Sequence, residues 1–108
     1  MQTSITTKEL ADLSDVTILD VRKKPAYDDD TVVIAGAAWR DPAMIDEWAP
    51  GLASDVTRDR PVVCYCVHGH EVSQGVAAAL RDLGLDARYL EGGFDNWKAT
   101  GGRLAPKP

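Results

Sequence analysis

The chain lacks most features of secreted, membrane-bound or nucleic-acid-binding proteins. Among its 108 residues, 17 are acidic and 12 are basic, which gives a net charge of −5. A protein that binds a phosphate backbone needs a basic face, so this balance argues against a nucleic-acid partner. No apolar run reaches the roughly 18 residues of a membrane span, and no hydrophobic N-terminal segment suggests a signal peptide. We therefore expect a cytoplasmic protein without a membrane partner.

Cysteine and histidine are also scarce, with two residues of each. On one extended strand the Cα atoms of Cys64 and Cys66 would be held about 6.6 Å apart, which disfavours a disulfide between them. Without a disulfide framework, a reducing compartment is expected. The common zinc-binding spacings of cysteine and histidine are absent, so we predict no metal and no cofactor.

The length and composition predict a single globular domain. The chain is 44% apolar and 27% charged, as ordinary globular proteins are. A chain of this length can bury roughly 60–70% of its unfolded surface. We place the domain at residues 1–104 and expect residues 105–108 to form a loose, proline-rich tail.

Residues 62–73 carry the pattern on which the functional interpretation depends. The apolar run after Pro61 is typical of a strand covered on both faces, and it ends at Cys66. Gly69 indicates a tight loop, and apolar residues at helical spacing then predict a helix that stops at Gly84. Those helical positions are Val72, Val76, Ala79, Leu80 and Leu83.

Cys66 is the candidate nucleophile of the chain. At the tip of a strand, loop N–H groups and a helix N-terminus converge, which favours an anion and lowers the pKa of a thiol. The thiolate is the reactive form of cysteine. Cys64, two residues earlier on the strand, is either a core residue or a second, resolving thiol.

The other segments predict alternating strands and helices. We expect an edge strand from Ile5, a helix with a Thr6–Glu9 capping box, and a buried strand over residues 16–21. Residues 23–30 are irregular or briefly helical, with an acidic turn over residues 28–30, and a short strand is expected near residues 37–38. Such alternation predicts a mainly parallel sheet with helices on both faces, whose ligands bind beyond the carboxyl ends of the strands.

Two more helices complete the pattern. Asp41 and Pro42 begin a helix that we expect Pro50 to end, followed by a polar connection over residues 51–60. The buried stripe of this helix is predicted to be Met44, Ile45 and Trp48. A last strand over residues 87–90 leads through two glycines into a short helix that carries Phe94 and Trp97.

Four segments, in order, resemble the signatures of single-domain rhodaneses, a family of sulfurtransferases. They are Ile18-Leu19-Asp20-Val21-Arg22, Gly36-Ala37, residues 62–66, and Leu90-Glu91-Gly92-Gly93-Phe94-Asp95-Asn96-Trp97. The resemblance covers nearly the whole chain, although the Gly-His that usually precedes the second segment is absent. It implies a three-layer rhodanese-like fold, an α/β fold with a mainly parallel central sheet of about five strands and helices on both faces.

The resemblance also implies an activity. Cys66 would take sulfane sulfur from thiosulfate or another persulfide donor and pass it to cyanide or a thiol. The partners would be a small sulfur-containing anion or a protein thiol or persulfide; the oligomeric state stays open. The backbone that would cradle the substrate belongs to Val67, His68, Gly69, His70, Glu71, Val72 and Ser73. Asp20 and Arg22 would support the loop rather than take part in catalysis.

The loop departs from the commonest family pattern, in which a cysteine is followed by four residues, an arginine, and then Ser or Thr. Here the serine, Ser73, comes one place later, and Val72 stands where the arginine would be. The longer loop resembles the related cell-cycle phosphatases and arsenate reductases, which bind a tetrahedral oxyanion. Those enzymes use the loop arginine as a bidentate ligand, which Val72 cannot replace.

Three alternatives therefore stand beside the sulfurtransferase. The first is an oxyanion enzyme of the same fold, and the second is a non-catalytic rhodanese-like binding module, which the intact Cys66 argues against. A cysteine–histidine hydrolase is disfavoured because both histidines lie within four residues of Cys66.

The roles of three loop side chains stay open. His68 and His70 could bring positive charge or protonate a leaving group near neutral pH, or they could be ordinary polar loop residues. Glu71 would raise the pKa of the thiol and repel thiosulfate if it faced the site, whereas in the first helical turn it could point to solvent.

Overall fold

The structure is a computed structural model that describes residues 2–56 and 59–108. In these residues seven strands and five α-helices alternate along the chain. The order is β1 (Ser4–Ile5), α1 (Thr7–Asp12), β2 (Thr17–Asp20), α2 (Lys24–Asp28), β3 (Val32–Ile34), β4 (Ala38–Trp39), a 3-10 turn (Pro42–Met44), α3 (Ile45–Asp55), β5 (Val62–Tyr65), α4 (Glu71–Asp82), β6 (Ala87–Leu90), α5 (Gly93–Ala99) and β7 (Leu104–Pro106). None of the helices in the described ranges is long and apolar enough to cross a membrane.

Five strands form one parallel sheet in the order β1-β6-β5-β2-β4. β5 lies at the centre, and all four of its residues are buried. Neighbours on β5 face opposite sides of the sheet, so Val62 and Cys64 pack into one hydrophobic cluster while Val63 and Tyr65 pack into another. Helices α3 and α4 cover the first cluster, and α1 and α5 cover the second. The predicted three-layer α/β fold is confirmed.

The first helix begins as its sequence predicts. The Thr6 hydroxyl accepts a hydrogen bond from the Glu9 amide at 3.1 Å, and the Glu9 carboxylate accepts one from the Thr6 amide at 2.9 Å. This capping box satisfies two amides that the helix itself cannot bond. The expected edge strand from Ile5 is confirmed as β1, which pairs with β6.

The sequence predicts a loose C-terminal tail, but in the structure the tail pairs with another strand. Residues 104–106 form β7, which pairs in antiparallel fashion with β3. β3 follows the acidic turn and was not predicted from the sequence. The Lys107 amide continues this pairing by donating to the Thr31 carbonyl at 2.9 Å. Backbone hydrogen bonds to a distant segment, rather than side-chain burial, hold the tail, so its polar and proline-rich composition gave no signal.

The helix expected to end at Pro50 instead continues through it to Asp55 as α3. Proline removes one N–H donor, and here Pro50 and Asp46, four residues before it, are both exposed. Water can therefore solvate the carbonyl group that loses its partner. The predicted polar connection is correspondingly shorter, and its residues 57 and 58 lie outside the described residues.

Met44 was wrongly assigned to the buried stripe of this helix. It ends the 3-10 turn before α3 and is 44% exposed. Ile45 and Trp48 are partly buried and pack against the first hydrophobic cluster. The Trp48 indole also donates a hydrogen bond to the Asp41 carbonyl at 2.8 Å, which ties the helix to its own N-terminal turn.

A buried ion pair joins β2 to the segment that follows it. Asp20 is fully buried and Arg22 is 2% exposed; the guanidinium donates to both Asp20 carboxylate oxygens at 2.7–3.0 Å. Arg22 also donates to Asp30 at 2.8 Å and to the Val32 carbonyl at 3.1 Å. Its guanidinium carbon lies 4.4 Å from the centre of the Phe94 ring. Asp30, in the acidic turn, is therefore the second carboxylate bound by Arg22.

Gly93 allows the N-terminus of α5 to contact the chain that leaves β5. The Phe94 amide donates to the Cys66 carbonyl at 2.9 Å, and the Asp95 amide donates to the Val67 carbonyl at 3.0 Å. A Cβ atom on Gly93, whose φ is +62°, would lie 2.5 Å from the Cys66 carbonyl oxygen. Only glycine permits both this backbone conformation and this close approach.

The first prediction concerns the buried ion pair. Asp20→Asn should lower the free energy of unfolding by about 3 kcal/mol, because it leaves the buried Arg22 guanidinium without its main counter-charge. Urea denaturation followed by circular dichroism measures the loss. The matched control is Asp28→Asn, which removes the exposed partner of Lys24 and should change stability far less. Equal losses in the two variants would contradict the structural role of the buried pair.

The second prediction concerns Gly93. Gly93→Ala should destabilise by about 2–5 kcal/mol, from the positive φ and from the clash with the Cys66 carbonyl. Gly101→Ala separates the two causes, because Gly101 has φ +78° but nothing within 4 Å of a Cβ atom. We expect it to lose only about 1 kcal/mol. A Gly101→Ala loss as large as that of Gly93→Ala in the same urea titration would show that close approach is unimportant.

Candidate active site

The carboxyl end of the central strand places Cys66 at the edge of the sheet. β5 ends at Tyr65, and the chain then makes a tight loop before α4 begins at Glu71. Gly69 has φ +75°, and a Cβ atom there would lie 2.7 Å from the Leu90 carbonyl oxygen and 2.9 Å from the Gly92 nitrogen. The loop can therefore pack against the turn between β6 and α5 only with glycine at this position.

The carbonyl groups of this loop are held from outside. Besides the two bonds from α5, the Gly69 carbonyl accepts from the Gln74 side-chain amide at 3.0 Å, and the His70 carbonyl accepts from the Gln74 backbone amide at 3.1 Å. With its carbonyls turned outward, the loop can direct its N–H groups inward, towards the sulfur of Cys66.

The Cys66 thiol is activated by these donors. Its Sγ atom lies 3.1 Å from the Ser73 hydroxyl oxygen, and Cys66 is only 8% exposed. Burial opposes ionisation, but hydrogen bonds from the Ser73 hydroxyl and from the amides of Ser73, Gly69 and His70 outweigh it and lower the pKa of the thiol below its ordinary value. The arrangement stabilises a thiolate without a charged side chain.

Cys64 has the opposite environment. It is fully buried in the first hydrophobic cluster, and burial raises the pKa of its thiol to about 12. A thiol that stays protonated inside the core cannot act as a nucleophile. Of the two roles left open by the sequence, the structure places Cys64 in the core.

A cleft of about 480 Å³ opens above Cys66. It is lined by Arg22, Lys23, Ala26, Cys66, Val67, His68, His70, Glu71 and Val72. Most of the predicted loop residues are thus brought together, whereas Gly69 and Ser73 are buried beneath the loop. Asp20 does not line the cleft but is paired with Arg22, which does. Lys23 and Ala26 were missed, because only the path of α2 brings them over the cysteine.

The charged side chains around the cleft differ in whether they are already paired with an opposite charge. Arg22 is bound to Asp20 and Asp30, and Val72 offers no charge where a loop arginine would stand. Glu71 is the first residue of α4 and is exposed at the cleft wall. Within residues 2–56 and 59–108, no three His, Cys, Asp or Glu side chains converge as a metal site requires.

Two further contacts of the site were missed by sequence reasoning. The His68 imidazole Nδ1 lies 3.1 Å from an Asp95 carboxylate oxygen, and Gln74 holds the Gly69 carbonyl. Asp95 lies within the C-terminal segment Leu90–Trp97 that resembles the rhodanese signature. Nothing in the sequence, however, indicates its contact with His68, 27 residues away (95 − 68).

The chain is similar in sequence to known proteins of one family. Residues 6–100 match the family model of the rhodanese-like domain. The thiosulfate sulfurtransferase GlpE of Coxiella burnetii is 36% identical over 92 residues, which cover 84% of this chain and 79% of the relative.

Two solved structures have closely similar folds. A rhodanese-related protein from Thermoplasma volcanium superposes with a TM-score of 0.77 at 26% identity, covering 95% of this chain and 97% of the other. A Rhodopseudomonas palustris protein described as a "possible tyrosine phosphatase" gives a TM-score of 0.78 at 27% identity, covering 96% and 85%. With the family model matched over most of its length, the chain belongs to the rhodanese-like domain family.

Proposed function

We propose that the protein is a sulfurtransferase that carries sulfane sulfur as a persulfide on Cys66. The observation that carries the proposal is the thiol at the end of β5, whose pKa is lowered by inward-facing donors. The names of the GlpE relatives support a sulfurtransferase-type enzyme. The family also includes non-catalytic members, but a binding module has no need for an activated thiol.

The first half of the reaction loads the cysteine. The Cys66 thiolate attacks the outer sulfur of thiosulfate, an S–S bond forms to Cys66, and the S–S bond within thiosulfate breaks to release sulfite. The negative charge moves from the Cys66 sulfur to the new outer sulfur, where the amides and hydroxyl around the site can stabilise it. The second half passes the outer sulfur to cyanide or a thiol and returns the Cys66 thiolate.

A phosphatase or arsenate reductase is a weaker candidate. The similarity to the R. palustris protein and the long loop support it. In those enzymes a loop arginine holds the transferred tetrahedral group as a bidentate ligand, and the guanidinium at the cleft, Arg22, is already bound to Asp20 and Asp30. Arsenate reduction would also need a second reactive thiol, which the buried Cys64 does not provide.

The chemistry also fits a reducing compartment. Both cysteines are free, and the proposed cycle needs a reduced Cys66 and thiol acceptors. We propose that the protein acts in the cytoplasm on small sulfur-containing anions or on protein thiols and persulfides.

The third prediction tests the persulfide. Wild-type protein exposed briefly to thiosulfate should gain the mass of one sulfur atom, and cyanide should remove it. Intact mass spectrometry measures both steps. Cys66→Ala should show no gain and no detectable sulfur transfer, whereas Cys64→Ala, which removes the buried thiol, should still gain one sulfur. A gain that survives in Cys66→Ala, or wild-type protein that stays unmodified by any sulfane donor, would refute the proposal.

The fourth prediction tests how the thiol is activated. Ser73→Ala removes the hydroxyl that stabilises the thiolate and should raise the pKa of Cys66, so its reactivity profile moves to higher pH. At pH 7 the rate of alkylation by iodoacetamide should fall roughly tenfold, as the loss of one hydrogen bond to a charged group implies. Ser54→Ala, which changes an exposed serine on α3, is the control. An unchanged profile in Ser73→Ala would show that the backbone amides suffice.

A further inference from the structure

One contact at the cleft is not explained by persulfide formation. His68 lies in the loop two residues after Cys66 and lines the same cleft. Its Nδ1 atom lies 3.1 Å from Asp95 Oδ2. Asp95 is itself fixed by its amide, which donates to the Val67 carbonyl at 3.0 Å. The backbone contact between α5 and the loop therefore also positions a carboxylate beside an imidazole.

This contact favours one tautomer of the imidazole ring. Asp95 Oδ2 lies 3.1 Å from Nδ1, and the negative charge of a carboxylate favours a hydrogen on the nitrogen that faces it. In the neutral ring, Nε2 is then the basic nitrogen, and it lies on the side of the ring away from Asp95. A carboxylate that orients a histidine in this way produces a general base.

The charges around His68 come from three elements. Asp95 and Lys98 lie on α5, with Lys98 Nζ 3.9 Å from the other Asp95 oxygen. The His70 ring centre is 6.1 Å from that of His68, and Glu71 lies at the same cleft wall. Across the cleft, Arg22 is bound in its ion pair and Lys23 is exposed.

The His68–Asp95 contact is too exposed to add much to the stability of the fold. The side chains are 62% and 51% exposed, and ion pairs of that kind contribute little to folding. Exposure is instead what a base needs if it is to meet a substrate that arrives from solvent.

We propose that His68 is the general base that deprotonates a thiol acceptor and that Asp95 is its positioning residue. The proposal rests on the proposed function, because it concerns the second half of that reaction. Nε2 of His68 takes the proton from the acceptor thiol, and the resulting thiolate attacks the outer sulfur of the Cys66 persulfide anion. A new S–S bond forms to the acceptor while the bond to Cys66 breaks, and the proton held on His68 passes to the transferred outer sulfur. The acceptor leaves as a hydropersulfide, and the Cys66 thiolate leaves with its electron pair, stabilised by Ser73.

The proposal predicts a difference between acceptors. An alkyl thiol, with a pKa of about 8.5, is mostly protonated at pH 7 and needs a base. An acidic aromatic thiol is largely ionised at that pH and needs no base. Loss of the base should therefore slow transfer to the alkyl thiol more than transfer to the aromatic thiol.

The fifth prediction uses this difference in single-turnover experiments. Cys66 is loaded with inorganic polysulfide, so that transfer can be measured whether or not thiosulfate is the donor. The loaded protein is mixed with 2-mercaptoethanol, thiophenol or cyanide, and the remaining persulfide is followed by rapid quench and mass spectrometry. In His68→Gln the ratio of the 2-mercaptoethanol rate to the thiophenol rate should fall roughly tenfold or more, with a smaller fall in Asp95→Asn. The thiophenol rate itself should change less than about threefold.

The control is Lys98→Gln, which removes the other charge beside Asp95 but leaves the His68 contact; its ratios should match those of the wild type. Equal slowing with all three acceptors in His68→Gln would mean that the ring only shapes the loop, and the proposal would fail. A larger loss of the alkyl-thiol ratio in His70→Gln than in His68→Gln would also overturn it. Failure of cyanide to remove sulfur from wild-type protein would instead contradict the proposed function.

Discussion

The site depends on a single constraint: the loop after β5 must turn its amides inward, so its carbonyls need partners elsewhere. A buried carbonyl without a hydrogen-bond partner would destabilise the loop and offset the stabilisation that the inward-facing amides contribute. The α5 amides bind the Cys66 and Val67 carbonyls, and Gln74 binds that of Gly69. This is a physical reason for the glycine directly before Phe94, since a Cβ on Gly93 would collide with the loop carbonyls. The C-terminal signature thus acts on the active cysteine without containing a reactive group.

A second buried contact holds the opposite wall of the cleft. Arg22 joins β2 to the acidic turn through Asp20 and Asp30, and its guanidinium lies against the Phe94 ring on α5. One side chain therefore links three parts of the chain that surround Cys66. Because a buried cation is costly unless its donors are matched, any movement of these parts breaks hydrogen bonds with charged groups.

The parts of the fold that were predicted correctly are those encoded by neighbouring residues. The capping box at Thr6, the buried run before Cys66 and the helical spacing after it each span about a dozen residues, and each local signal agrees with the final fold. The errors came from distant partners. β7 exists because β3 offers it an edge, and α3 passes Pro50 because the affected turn faces water; neither fact can be read from the local pattern.

The candidate site divides in the same way. Cys66 and its loop could be predicted, since a strand, a glycine turn and a helix follow one another in sequence. Lys23 depends on the path of α2, and the Asp95 contact with His68 depends on how α5 meets the loop. The sequence predicted the cysteine and its loop, but not the residues that other elements bring to the cleft.

The distribution of charge explains why the backbone dominates this site. Arg22 is neutralised by two carboxylates, Val72 is apolar, and Glu71 adds negative charge at the rim. A tetrahedral group seated inside the loop would lack a bidentate cation, whereas a sulfane donor has to bring only its outer sulfur atom to Cys66, where short-range donors can stabilise it. Amides and a hydroxyl provide these without titrating, so they stabilise a thiolate and a persulfide alike. They cannot remove a proton, however, so a protonated thiol acceptor needs a titratable side chain beside these amides, which is the role that we propose for His68.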